Sequence, residues 1–150
     1  MVFAKPKFLL KKTYLKVIRD SVGSKMFRSS YFKINGKDIE VLENGNLACA
    51  FYLTSILKMF SLVQELHTTV KATEYDLIRS GWKDLKRPQT GCIIIYGPKK
   101  FESGNVHRHL GFYVGGNHAV TNDAKKGMPQ VFKWNYRPVE RLMWHPKLND

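Results

Sequence analysis

Between residues 47 and 62, Leu47, Ala48, Phe51, Tyr52, Leu53, Ile56, Leu57, Met59, Phe60 and Leu62 cover nearly the whole circumference of a predicted helix. A helix that is apolar all round has no wet side, so it must lie inside a domain under other elements. The second half of the chain supplies that cover. Cys92-Ile-Ile-Ile-Tyr, bounded by Gly91 and Gly97-Pro98, reads as a buried strand. Leu110-Gly-Phe-Tyr-Val reads as a second, and the turn Gly115-Gly116-Asn117 leads into His118-Ala-Val-Thr as its hairpin return. Val131-Phe-Lys-Trp is a fourth. Ahead of the central helix, Phe8, Leu9, Tyr14, Leu15, Val17 and Ile18 have helical spacing, with Lys11, Lys12, Lys16 and Arg19 on the wet side and Gly23 as the stop. Residues 24–46 are polar and turn-rich, with Asn35-Gly36 and Asn44-Gly45 as turn signals. Residues 73–80 make a short third helix ended by Gly81. Helices first and antiparallel strands second define an α+β order.

The 150 residues, 43% of them hydrophobic, suit one domain over residues 1–150 and exclude a disordered or fibrous chain. Residues 1–22 form its N-terminal helical segment and residues 124–150 a C-terminal strand and tail. No apolar run approaches the ~20 residues of a membrane span. Lysines interrupt the first twelve residues where a signal peptide needs a continuous apolar stretch, so no secretion address is visible and the location is left open between the cytoplasm and a non-standard export route. Twenty-five Lys and Arg against twelve Asp and Glu leave a formal charge of +13. That predicts attraction to a polyanion such as nucleic acid, anionic lipid or an anionic wall polymer. The lysine clusters at residues 5–16, 83–87, 99–100 and 125–126 carry no nucleic-acid-binding motif.

Chemistry concentrates at Cys49. With Asn46 as N-cap, Leu47, Ala48 and Cys49 occupy the first turn of the central helix. There the helix dipole and unpaired N–H groups favour a thiolate, and the same N–H groups suit an oxyanion. The competing reading is a buried structural cysteine, which is also how Cys92 reads. A thiolate nucleophile needs a base and a group to hold that base. Of the five histidines, His67 lies beyond the far end of the helix and reads as structural, His145 is in the tail, His107 is in a loop and His118 comes after a turn. His109 opens a strand, from which an imidazole can reach over a helix terminus. No C-x-x-C or H-x-x-x-H pair accompanies Cys49, Cys92, His107 and His109, so no metal site is expected.

A cysteine opening a buried helix, then a Gly-led hydrophobic strand, then His109-x-Gly-Phe-Tyr-x-Gly and a polar residue on the next strand: this order resembles the NlpC-type papain-like cysteine peptidases. Asn44-Gly-Asn-Leu-Ala-Cys-Ala-Phe-Tyr-Leu-Thr-Ser-Ile-Leu, His67-Thr-Thr-Val, Ser80-Gly-Trp and Ala119-Val-Thr-Asn extend the likeness to a bacterial subgroup, over residues 22–123. The resemblance implies a papain-like fold, with the cysteine helix packed on an antiparallel sheet. It implies Cys49 as nucleophile, His109 as base and no cofactor. The third position falls at Thr121 by ungapped counting, at Asn122 by likeness to a Cys-His-Asn arrangement, or at His118 if the hairpin is shorter. Strand alternation allows only one of Thr121 and Asn122 to face His109. Tyr31 and Tyr52 are candidates for shaping an oxyanion pocket. Trp82, Trp134 and Trp144 either line a groove or pack. Two departures stand out: Ala48-Cys49-Ala50-Phe51 replaces the family's Asp-Cys-Ser-Gly, and Gly91-Cys92 replaces its Gly-Asp.

The function implied is a cysteine hydrolase acting on amide bonds, foremost those of peptidoglycan stem peptides. One alternative is a non-enzymatic basic module that binds nucleic acid or another polyanion on the same fold. Another is an acyltransferase or deamidase.

Overall fold

The computed structural model describes residues 3–100 and 106–149, without the side chains of Lys100 and Val106. It is an α+β fold. Helix α1 (Leu10–Asp20) is followed by a two-stranded hairpin, β1 (Tyr31–Ile34) and β2 (Lys37–Glu40), then α2 (Cys49–Met59) and α3 (Val70–Arg79). The main sheet comes next: β3 (Lys83–Asp84), β4 (Ile93–Lys100), β5 (Val106–Gly115), β6 (His118–Asp123), β7 (Met128–Lys133) and β8 (Val139–Trp144). Its spatial order is β3-β8-β4-β5-β6-β7, with every neighbouring pair antiparallel.

The first correction concerns residues 24–46. They contain β1 and β2, joined by a two-residue turn at which Asn35 (φ 51°) and Gly36 (φ 76°) both take positive φ. That is the type I′ geometry whose twist matches the flanking strands. The hairpin is exposed along almost its whole length, so it carries no buried-face pattern to read. The second concerns the tail. Residues 124–150 supply β7 and β8, and β8 sits between β3 and β4 in the sheet. Glu140 and Arg141 break its apolar pattern; both charges are matched by partners distant in sequence, Arg108 for Glu140 and Asp84 and Glu74 for Arg141.

The central helix is shorter than expected and not buried all round. Leu47 precedes it and is exposed, as is Met59 at its end, while Ala50, Tyr52, Leu53, Thr54, Ile56 and Leu57 are buried. Phe60 and Ser61 (φ 55°) close it, with Leu62 N–H returning to the Leu57 carbonyl at 2.9 Å. This left-handed exit satisfies an end carbonyl without a glycine. Aromatic edges tie the layers together: Tyr14 of α1 meets Phe60 and Phe112, and Tyr52 of α2 meets Phe27 and Phe112. The hydroxyls on these buried rings are satisfied, Tyr14 donating to the Gly91 carbonyl (2.7 Å) and Tyr52 donating to Ser21 Oγ (2.6 Å), whose own proton goes to the Ile18 carbonyl.

Helix α3 starts three residues earlier than the sequence suggests. Thr69 is its cap and accepts from the Ala72 N–H at 3.2 Å. The buried Asp76 of α3 accepts from the backbone N–H groups of Gln64 and Glu65, from His67 Nε2 (2.6 Å) and from the Ser80 hydroxyl. These bonds lower its carboxyl to about 2 against the opposing effect of burial. His67 thus locks the α2–α3 connection, the structural role expected of it. Among the described residues no helix is long and apolar enough to cross a membrane.

Candidate active site

Cys49 is the first residue of α2, but Asn46 does not cap it. The cap position is Ala48, with no side-chain bond, and Asn46 Nδ2 donates to Glu43 instead. A folded-back turn holds the helix start in place. Leu42 O accepts from Gly45 and Leu47 N–H groups at 3.1 and 2.9 Å, and Glu43 and Asn44 take φ of 51° and 53°. Gly45 (φ 92°) then lies directly on Gly127 of the β6–β7 turn. A Cβ added at Gly45 would sit 2.6 Å from the Gly127 Cα. No side chain fits between these two backbones, so both positions require glycine.

Asn122 completes this joint. Its Nδ2 donates to the Gly45 carbonyl at 2.7 Å, which turns the side chain toward the cysteine turn and away from His109. Of the alternatives left open for the third position, Thr121 is the one that faces the histidine. Thr121 Oγ1 lies 2.5 Å from His109 Nε2 and 2.6 Å from the Leu110 carbonyl. A carbonyl can only accept, so the single hydroxyl proton goes to Leu110. The bond to Nε2 must then be donated by the imidazole. His109 therefore carries its proton on Nε2 and presents Nδ1 as the lone-pair nitrogen. Gly111, two residues along β5, opens the space for this bond: a Cβ there would lie 3.1 Å from Thr121 Cβ and 3.3 Å from Tyr96 Cε2.

His109 and Cys49 line one cleft of about 1510 Å³, running between the start of α2, the first turns of α3 and the β7–β8 connection. The Cys49 sulfur lies against the backbone amide of Leu110, the residue after His109. Here a second expectation is corrected. Burial pushes the Cys49 thiol up to about 11, over the opposing pull of the Leu110 and Ala50 amides and the Arg137 charge. Burial, aided by the Arg137 charge, lowers His109 to about 3 despite the Asn122 backbone carbonyl. Desolvation thus outweighs the helix terminus, and the cleft holds a neutral thiol and a neutral imidazole. Both residues are half-buried and reach the cleft.

The remaining candidates disperse. Tyr31 stands 69% exposed on β1 and does not line the cleft, while Tyr52 is wholly buried against Ser21. Neither lines the cleft that Cys49 opens into. His107, expected in a loop, is instead part of β5 and pairs with Lys99 of β4. His118 is exposed, paired with Gly115 and Lys133 at the strand end. His145 bonds the Ser80 carbonyl beside Trp82. Cys92 is buried, and neither it nor Cys49 is in a disulfide. Trp82 donates to Leu62 O, Trp144 to Asn149 and Trp134 packs on Tyr113, so all three tryptophans pack outside the cleft. Among the described residues no group of three or more His, Cys, Asp or Glu is arranged to hold a metal ion.

Sequence reasoning missed Tyr136 and Arg137, which line the cleft together with Cys49. They lie between β7 and β8 in no motif, and only the unread strand β8 brings them back over the site. No family model matches the chain, and no curated protein is similar to it.

Proposed function

We propose that this protein is a cysteine hydrolase of papain-like fold, acting on amide bonds through Cys49, His109 and Thr121, with peptidoglycan stem peptides as the foremost substrate class. The observation that carries the reading is the His109–Thr121 bond. A buried threonine fixes one imidazole tautomer at the mouth of the cleft that Cys49 opens into.

That tautomer determines the chemistry. His109 Nδ1 takes the Cys49 proton as sulfur attacks the carbonyl carbon, so the thiolate forms only as its new bond forms. First-turn N–H groups of α2 receive the carbonyl oxygen as it becomes an oxyanion. On collapse the C–N bond breaks, the imidazolium returns its proton to the departing amine, and a thioester remains. Nδ1 then activates water, which cleaves the thioester to a carboxylic acid and restores the thiol. Thr121 accepts from Nε2–H throughout, including from the imidazolium. An acyl acceptor other than water would make the same thioester serve acyl transfer, and a glutamine side chain as substrate would make it a deamidase.

The test is digestion of purified peptidoglycan and of short stem peptides, with product analysis by mass spectrometry. New amine and carboxylate ends, lost in Cys49→Ala and in His109→Ala, are the expected result. Products that persist in either variant would remove the proposal.

A further inference from the structure

The segment ahead of α1 leaves its apolar side chains in the open and surrounds them with cations alone. Residues 3–9 are exposed without a break, with Phe3 at 82%, Phe8 at 62% and Leu9 at 48%. Six cations, Lys5, Lys7, Lys11, Lys12, Lys16 and Arg19, fall within residues 1–19, and the first acid is Asp20. Among the described residues Lys5, Lys7 and Lys12 have no ion-pair partner, and Asp20 pairs with Lys16. Lys11 is the exception, since it lies over the Trp144 ring. Arg19 gives one N–H to the Val114 carbonyl and stays exposed.

These side chains share one surface. Lys12, Lys16 and Arg19 follow one another at the i, i+4, i+7 spacing of a single helix face. That stripe joins Lys7, Phe8 and Leu9 in lining a groove of about 650 Å³. The opposite face of α1 is taken up by the core through Tyr14 and Ile18. Other exposed patches are mixed in charge. The β1–β2 hairpin exposes Phe32 and Ile34, but Asp38 and Glu40 lie among its lysines. Further along, Asp84 adjoins Lys83 and Asp123 precedes Lys125 by two residues.

The combination of rings and cations selects the partner. A nucleic acid backbone or an anionic wall polymer would neutralise the lysines and leave Phe3, Phe8 and Leu9 in water. An anionic bilayer meets both needs, because phosphates lie at its surface and hydrocarbon just beneath. Lysine stems lie along the apolar layer while their ammonium groups stay with the phosphates. We propose that residues 3–9 and the Lys12–Lys16–Arg19 face of α1 form a docking surface for an anionic lipid bilayer, with Phe3, Phe8 and Leu9 entering the interface. This surface shares no lining residue with the Cys49 cleft, so docking is independent of whether Cys49 is a nucleophile.

Co-sedimentation of the full chain with vesicles tests the assignment. Phosphatidylcholine alone is compared with phosphatidylcholine containing about a third phosphatidylglycerol, in about 0.15 M NaCl. Partition onto the mixed vesicles is expected to be about tenfold or more above that onto phosphatidylcholine. The double variant Phe3→Ser, Phe8→Ser should lower it about tenfold, and Lys5→Gln, Lys7→Gln by about as much. Phe32→Ser on the hairpin and Lys125→Gln should leave it unchanged. All of these side chains are exposed, so the fold does not rest on them. Equal partition onto the two vesicles, or full binding by the double phenylalanine variant, overturns the proposal. An equal loss in Phe32→Ser also overturns it, by moving the contact to the hairpin. If the double phenylalanine variant instead weakens binding to single-stranded oligothymidylate and spares the vesicles, the surface is one for nucleic acid and the lipid assignment fails.

Discussion

Thr121 and Asn122 are adjacent on β6 and do opposite work, because a strand turns successive side chains to opposite faces. Thr121 orients the imidazole, and Asn122 holds the Gly45 carbonyl of the turn that starts α2. Substitution separates the two roles. Thr121→Val keeps the shape and loses the hydroxyl. It is expected to slow Cys49 alkylation at pH 7 about tenfold, at a stability cost of about 1 kcal/mol for the lost bond to Leu110. Asn122→Ala strands a buried carbonyl and is expected to cost about 1–3 kcal/mol in denaturant unfolding while leaving the alkylation pH profile unchanged in shape. A reversal of these outcomes would return Asn122 to the site. The residue types were legible in the sequence, but the choice between them was not. Alternation says that one faces His109, and only the strand register says which.

The same half-buried histidine makes a prediction about acid. His109 is lowered in the folded state to about 3, so between its ordinary value of about 6.5 and 3 the unfolded chain binds a proton that the folded one refuses. Stability from this group is full above about pH 6.5 and is lost as pH falls toward 3. Asp76 acts lower. Its folded value of about 2 means that its contribution is full above about pH 4 and lost as pH falls through 2. Unfolding free energies measured from pH 7 to pH 2 should therefore decline in two stages. His109→Asn should abolish the first and Asp76→Asn the second. A flat profile to pH 4 in the wild-type protein would contradict the neutral imidazole.

At the scale of elements, the placement of α2 depends on one backbone joint. Gly45 and Gly127 touch without side chains, Arg28 donates to the Gly127 and Lys126 carbonyls, and Asn122 bonds across. Gly45→Ala puts a methyl group 2.6 Å from the Gly127 Cα at a φ of 92°. It is expected to destabilise by roughly 2 kcal/mol or more and to lower Cys49 reactivity, because the helix start must move. Circular dichroism melts and alkylation rates on one preparation check both; an unperturbed variant would show that the joint does not position the nucleophile. The helices and β4–β6 were readable because each carries a buried stripe or a continuous apolar run. The β1–β2 hairpin and β8 were not, for related reasons. The hairpin buries almost nothing, and the charges of β8 are neutralised by Glu74, Asp84 and Arg108 from far along the chain. Local pattern sees burial, and it does not see a distant counter-charge.

For the whole molecule, a charge of +13 and a cleft carrying Lys71, Lys99 and Lys125 predict retention on an anionic polymer at low salt, falling steeply as salt rises. That binding should be the same in Cys49→Ala, because the neutral thiol contributes none of that charge. Of the lysine clusters legible in the sequence, the side chain of Lys100 lies outside the described structure, as do Met1, Val2 and Asp150 at the ends. Composition revealed the charge but not its arrangement, since Arg137 and Tyr136 join the cleft only through β8.

The most direct test of the Cys49–His109 pair is the rate of Cys49 alkylation by iodoacetamide from pH 5 to pH 11, in the wild-type protein and in His109→Ala. Peptide mapping separates Cys49 from the buried Cys92. A neutral pair with a poised base predicts a wild-type rate at pH 7 about a hundredfold above that of His109→Ala, which should show a single rise near pH 11. Identical profiles in the two proteins, or a Cys49 no faster than Cys92, would contradict the account.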